Sequence, residues 1–248
     1  MEQFQDISIF PRFDFKSFYK NQEFTDCEVI IEDEDSSVSI VKAHIIVLAN
    51  SSQFFFNVFT GEMDESKTHQ VHVKFNPMNL LPKVIEWMYD GNLFFESDEQ
   101  EKEQKIPLLA IANFYTIDAL SRYLFESIEK TNSPSEILKY IDQCFQFSLV
   151  NELRALEPII AINFEMISID MLSDALDVPT FINVCKLIGF KSNEERIKTI
   201  SSFIKDYDFT GHEDEMENLS KLLDRKDPHL SALIKSLNPR WVSKKIIN

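Results

Sequence analysis

The chain has 248 residues, 44% of them hydrophobic, and its 41 acidic against 25 basic residues give a formal charge of −16. Such a length and apolar content supports one large core or two small ones without disulfides or metals to hold them. The charge disfavours non-specific binding to nucleic acid or anionic membrane, both of which reward cationic surface.

In chain order, the segment before residue 20 is rich in apolar residues, with Ile7, Ile9, Phe10, Phe13, Phe15, Phe18 and Tyr19. They are surplus to a simple hairpin-and-helix core and divide evenly between packing inside the subunit and forming an interface with a second copy. Residues 26–41 read as two strands around an acidic turn at 32–37. Ile45, Leu48 and Ala49 then predict one short helix. Ser51 or Ser52 caps a second one, which carries Phe54, Phe55, Val58 and Phe59 and stops at Gly61. The loop from Gly61 to Ser66 holds a single apolar residue, Met63, among acids, in the manner of an apolar anchor within a charged rim. The segment HQVHVKF at 69–75 alternates as a third strand, ended by Asn76-Pro77.

Beyond Pro77 the pattern turns helical. Leu81, Val84, Ile85 and Met88 fall at helical spacing until Asp90-Gly91, and Leu93 to Phe95 form a short strand or an apolar loop. Residues 96–105 hold five acids and two lysines and no apolar side chain. They are an exposed loop or the polar first turn of the helix that follows. Two helices cover 106–128 with a break at Ile117 and Asp118, and Thr131-Asn132-Ser133-Pro134 marks a domain boundary. Further helices are expected at 134–147, 149–165, 168–175, 178–188, 193–207, 213–223 and 229–237, an all-helical set of antiparallel hairpins without a fixed repeat.

Chemistry is sparse in this pattern. Four glycines argue against a Gly-rich phosphate cradle, and Cys27, Cys144 and Cys185 form no CxxC pair, as in a reducing compartment. His44, at a strand-to-helix junction, is assigned a structural role, one ring nitrogen bonding backbone or a carboxylate such as Asp26. His69 and His72 belong on opposite faces of a strand, and His212 and His229 are isolated, so no metal site is expected. GxSxG and comparable nucleophile motifs are absent, and no enzyme is expected. The start MEQFQDISIF lacks the features of a secretory leader, and apolar runs are shorter than a membrane span, which leads to an expected place in cytoplasm or nucleus. Lys235, Arg240, Lys244 and Lys245 make a basic tail, read as an ionic contact or a solvated end, the alternative being a docking or nucleic-acid segment.

FTDCEVIIED at 24–33, VKAHIIVLANSSQFFFNVFTG at 41–61 and MYDGNL at 88–93 together resemble the BTB/POZ family, and IPLLAIANFYTIDALSRYLFESI at 106–128 is similar to its closing helical pair. SPSEILKYIDQCFQFSLVNELRALEPIIAINFEMI at 133–167 resembles the first helices of a BACK domain, which in this family follows the BTB domain. The resemblance implies an α+β BTB/POZ fold, helical hairpins around a small mixed sheet, over residues 1–130, an all-α BACK-like domain over 131–210, and a helical extension over 211–248. It assigns structural positions to Asp26, His44, Tyr89 and Gly91. It also implies a homodimer, with 4–10 as an exchanged strand and 13–20 as the dimer helix, so that Ile7, Ile9, Phe13, Phe15, Phe18 and Tyr19 are dimer-interface candidates. Many members recruit the cullin dedicated to BTB adaptors through a hydrophobic-x-Glu motif after the third helix. Met63 and Glu65 match it, and the helices at 133–166 would extend that contact. The implied protein is an adaptor joining a cullin ubiquitin ligase to a substrate protein that the sequence does not name, with no cofactor, membrane or nucleic acid. The alternative is a dimerisation scaffold or transcription-related BTB protein without cullin binding. The Phe54–Phe56 run and the acidic 96–103 stretch depart from the family pattern.

Overall fold

The computed structural model describes residues 15–33, 36–131, 133–190 and 192–203. The chain divides between Ile128 and Glu129 into two units.

The first unit begins with α1, Phe15–Asn21, followed by strands β1, Cys27–Glu32, and β2, Val38–Ala43. These pair antiparallel, with Ile30 opposite Ile40 and Cys27 opposite Ala43. Helices α2, Ile45–Ser51, and α3, Gln53–Thr60, come next, then the single turn α4, Glu65–Thr68, and strand β3, Gln70–Val73. Because β3 lies parallel to β1, Val29 beside Val71, the sheet is mixed and ordered β2-β1-β3. Phe75 falls outside the last strand. A 3-10 turn over Pro77–Asn79, α5 over Leu81–Asp90, α6 over Asp98–Phe114 and α7 over Asp118–Glu129 complete the unit.

Period two decides what the sheet buries. Cys27, Val29 and Ile31 of β1 and Val71 and Val73 of β3 are buried against Leu48, Phe55, Leu81, Val84, Ile85, Ile106, Leu109 and Tyr115 from the helices. Tyr115 organises this core: its ring stacks on Phe55, centroids 5.8 Å apart, and its hydroxyl donates to the Phe75 carbonyl at 2.9 Å. Ser52 has two tasks. Its Oγ accepts from the Phe55 N–H at 3.2 Å, capping α3, and donates to the Tyr115 carbonyl at 2.6 Å, which ties α3 to the end of α6.

Residues 93–95 are loop rather than strand, and Lys83 places its ammonium 4.1 Å over the Phe95 ring. The acidic stretch is helical from Asp98 onward. Ser97 caps it by accepting from the Gln100 N–H at 3.2 Å, and Asp98, Glu99 and Glu101 in the first turn suit the positive end of the helix dipole. Lys105, the last residue of that polar run, is buried beside Glu101 at 3.2 Å, so the stretch is not solvated to its end. The break before α7 is made by Thr116, whose φ is 51°.

The second unit contains α8, Pro134–Gln146, α9, Val150–Ile162, a 3-10 turn at Phe164–Met166, α10, Ile169–Ala175, α11, Val178–Leu187, and α12, Asn193–Phe203. The expected helix over 149–165 ends at Ile162 because Asn163 turns its amide back on the Ile159 carbonyl at 2.9 Å. Ser168 and Asp177 cap α10 and α11 through the N–H groups of Met171 and Thr180. Ile137, Tyr140, Ile141, Leu156, Ile160, Leu172, Phe181 and Val184 are buried. The helices expected at 213–223 and 229–237, the end of the one at 193–207, and the basic tail lie outside the described residues, as do His212 and His229.

Candidate protein-interaction site

Two surfaces of the first unit gather the residues singled out in the sequence. One is the connection between α3 and β3. Gly61 ends α3 with its N–H on the Asn57 carbonyl at 2.9 Å, and a Cβ there would stand 2.7 Å from that same oxygen, so the close approach requires glycine. The chain then passes Met63, whose side chain is 62% exposed, before α4. The Met63 carbonyl accepts from the Ser66 Oγ at 2.7 Å, and the Asp64 carbonyl accepts from the Thr68 N–H at 2.8 Å. His69, in the left-handed region at φ 57°, closes the turn with its N–H on the Glu65 carbonyl at 2.8 Å and a ring nitrogen 3.1 Å from the Asp26 carbonyl. Met63 is therefore an apolar side chain presented to solvent from a backbone fixed on both sides. Glu65 opens a helical turn and does not sit in a free loop. The Lys67–Asp64 pair, at 3.8 Å and well exposed, adds little.

The second surface is α1. None of its residues is buried. Phe15 meets Phe18 edge to face at 6.4 Å, and Phe18 meets Phe24 likewise at 5.6 Å. Phe24, 81% exposed, extends the aromatic group. The sequence marked it only as part of the strand-entry motif, and its backbone takes the left-handed region at φ 57°. Tyr19 instead stacks on Tyr89 of α5, centroids 4.4 Å apart, and Lys16 pairs with Asp90, so one side of α1 is held by its own chain. Ile7, Ile9 and Phe13 lie outside the described residues.

Between these surfaces a polar cluster holds the β2–α2 junction. The Tyr89 hydroxyl accepts from the His44 backbone N–H at 2.9 Å and lies 2.9 Å from Nδ1, while Nε2 faces the Glu23 carbonyl at 2.8 Å. With the imidazole neutral, one hydrogen arrangement satisfies all three contacts: Tyr89 donates to Nδ1 and Nε2 carries the ring proton. Asp26 does not bond the imidazole. Its Oδ1 accepts from the Ile45 N–H at 2.7 Å and caps α2 in place of His44. Gly91, at φ 72°, ends α5 with its N–H on the Trp87 carbonyl.

A BTB/POZ domain model matches residues 15–132. Those residues form a BTB/POZ domain. Within it, 85 residues, 34% of the chain, are 33% identical to Kelch-like protein 3 of Mus musculus, and 110 residues, 43% of the chain, are 29% identical to Kelch-like protein 7 of Gallus gallus. The matched stretches amount to 14% and 17% of those relatives' lengths. The mixed sheet among helices and the succeeding helices agree with the BTB reading, and the domain is a protein-interaction module.

The Cys27 thiol is buried and pushed up to about 12 by burial and then by Asp26, and burial does the same to Cys144 and Cys185 in the second unit. Among the described residues no cluster of His, Cys, Asp and Glu is arranged to hold a metal, and no helix is long and apolar enough to cross a membrane.

Proposed function

We propose that the protein is a homodimeric adaptor that brings the BTB-specific cullin to a ubiquitin ligase complex, with Met63 as the apolar anchor and Glu65 as the charged partner. The observation that carries this reading is the exposed Met63 side chain on a pinned turn directly after α3, where the BTB–BACK resemblance places a hydrophobic-x-Glu motif. Apolar anchors displayed from rigid backbone bind well because little freedom is lost on association. Phe15 and Phe18 of α1, with Phe24 beyond its end, supply the contact to a second copy. Residues 131–210 act as the BACK-like domain and 211–248 as an extension of it, in cytoplasm or nucleus. Titration calorimetry of the purified chain against the cullin N-terminal domain tests the assignment. Measurable heat saturating at one cullin per chain supports it, and no binding at tens of micromolar overturns it.

A dimerisation scaffold without cullin binding is the second reading, favoured by the aromatic group on α1, which needs nothing from the Met63 turn. It predicts a dimer of unchanged mass in the presence of the cullin domain.

A further inference from the structure

β2 is one of the sheet's two edge strands, and among the described residues no other strand pairs with its outward side. The direction of its backbone groups follows from the hairpin. Asp33 donates its N–H to the Ser37 carbonyl at 2.8 Å, which makes 33 and 37 a hydrogen-bonded pair. With the register Ile31 opposite Ser39 and Val29 opposite Val41, alternation turns the N–H and C=O groups of 39 and 41 toward β1 and those of Val38, Ile40 and Lys42 outward. The same three residues place their side chains on the exposed sheet face, where Val38 is 62% and Ile40 57% exposed. An edge with free backbone groups and exposed β-branched side chains is a template for strand addition.

We propose that this edge binds the β2 edge of a second copy, antiparallel, about a twofold axis at Ile40. This register is the one that uses every outward group: Val38 lies opposite Lys42 of the second copy, Ile40 opposite Ile40, and Lys42 opposite Val38, each pair exchanging both backbone hydrogen bonds. The side chains then fall into matched rows. Ile30, cross-strand neighbour of Ile40, extends a continuous isoleucine row through both copies. In the other row Glu32 neighbours Val38, which faces Lys42 of the second copy, and that lysine keeps Glu28 of its own chain as cross-strand neighbour, while Glu32 pairs with Lys74 at 2.9 Å. A lysine on an edge ordinarily discourages pairing. Here it lies at the end of the edge beside Glu28 of its own chain, which offsets its charge, and the twofold register that uses every outward group of both edges and aligns the isoleucines favours another copy of this hairpin over an arbitrary strand. The surface is distinct from α1, so the two contacts together build assemblies larger than a dimer.

The test introduces one thiol into the full chain, the native three being buried. Under a mild oxidant Ile40→Cys is expected to give a disulfide-linked pair on a non-reducing gel, also in a Phe18→Asp background, while His72→Cys on the exposed face of β3 does not. In light scattering at high micromolar concentration, Ile40→Lys is expected to lower the average mass by half or more. The proposal is overturned if Ile40→Cys links no more than His72→Cys, or if Ile40→Lys leaves the mass unchanged. Whether Phe18→Asp itself lowers the mass reports on the α1 contact alone, so the failure of one interface is not mistaken for the failure of the other.

Discussion

The hydroxyl of Tyr89 lies 2.9 Å from both the backbone nitrogen and the Nδ1 of His44, so one oxygen on α5 satisfies two groups at the end of β2. Tyr89→Phe keeps the ring that stacks on Tyr19 and removes only this oxygen, leaving two polar groups of His44 without a protein partner. A loss of about 1–3 kcal/mol is expected in denaturant unfolding, with the far-ultraviolet dichroism of the native state unchanged.

α1 is held to α5 by a pair that responds to acid. Partial burial raises the Asp90 carboxyl, but hydrogen bonds from Lys16 and Asn92 more than offset it and hold the group below the usual carboxylate range. A depressed folded value means that the contribution is fully present above the unfolded value and is lost as pH falls through the folded one. The stability difference between wild type and Asp90→Asn is therefore expected to be constant near neutrality and to vanish below the ordinary carboxylate range. A difference that persists at the lowest pH would place its origin elsewhere.

Phe18→Asp puts a charge at the centre of the α1 aromatic group. Light scattering of an Ile40→Lys protein is expected to give twice 29.0 kDa, and adding Phe18→Asp to give 29.0 kDa. A clean monomer before the second substitution removes α1 as a dimer contact.

For the Met63 turn, burying a methionine side chain is worth about 1.5–3 kcal/mol, and a desolvated charge-assisted hydrogen bond contributes a similar amount. Met63→Ala and Glu65→Lys are each expected to weaken cullin binding roughly tenfold to a hundredfold with unchanged melting temperature. Asp64→Ala, in the middle position, is expected to bind as wild type does. Met63→Ala binding at full strength would make the motif match coincidental.

The three thiols are expected to resist alkylation in the native state at mildly alkaline pH. Each is buried, and each is pushed up to about 12, so little thiolate forms at such a pH. Mass spectrometry is expected to show modification of all three together, at the rate of unfolding. Rapid labelling of one alone would reveal local opening at that site.

Local patterning carried much of this structure. The alternation of Cys27, Val29 and Ile31 and the serine at position 52 are local signals, and they locate a strand face and a helix cap. The motif runs around His44 and Gly91 likewise located the junctions those residues hold. Partners across the sequence were not legible. A ring nitrogen of His44 was expected on backbone or on a carboxylate such as Asp26, and the Glu23 carbonyl supplies the backbone contact, but the oxygen at the other ring nitrogen comes from Tyr89, 45 residues away, and nothing in a single sequence specifies that pairing. The α4 turn was missed because four residues of mixed polarity have no period to read, and in the stretch read as an exposed loop or a polar first helical turn the burial of Lys105 was not legible because it depends on a neighbour's carboxylate rather than on its own type. Phe24 takes a left-handed backbone angle, which composition does not report.

The parallel pairing of β3 with β1 has a kinetic consequence. Glu28 and Gln70, partners in the ladder, are separated by the whole of β2, α2, α3 and α4, so the contact closes a long loop whose entropy must be offset before any pairing is gained. The hairpin of β1 and β2 needs no such closure and forms from neighbours. The Met63 turn is clamped between the end of α3 and the start of β3, and so it takes its presented geometry only when the long closure is complete. Refolding is therefore expected to protect the β1–β2 hairpin amides before those of β3 and the Met63 turn, an order that pulse-labelled hydrogen exchange would read and that simultaneous protection would exclude.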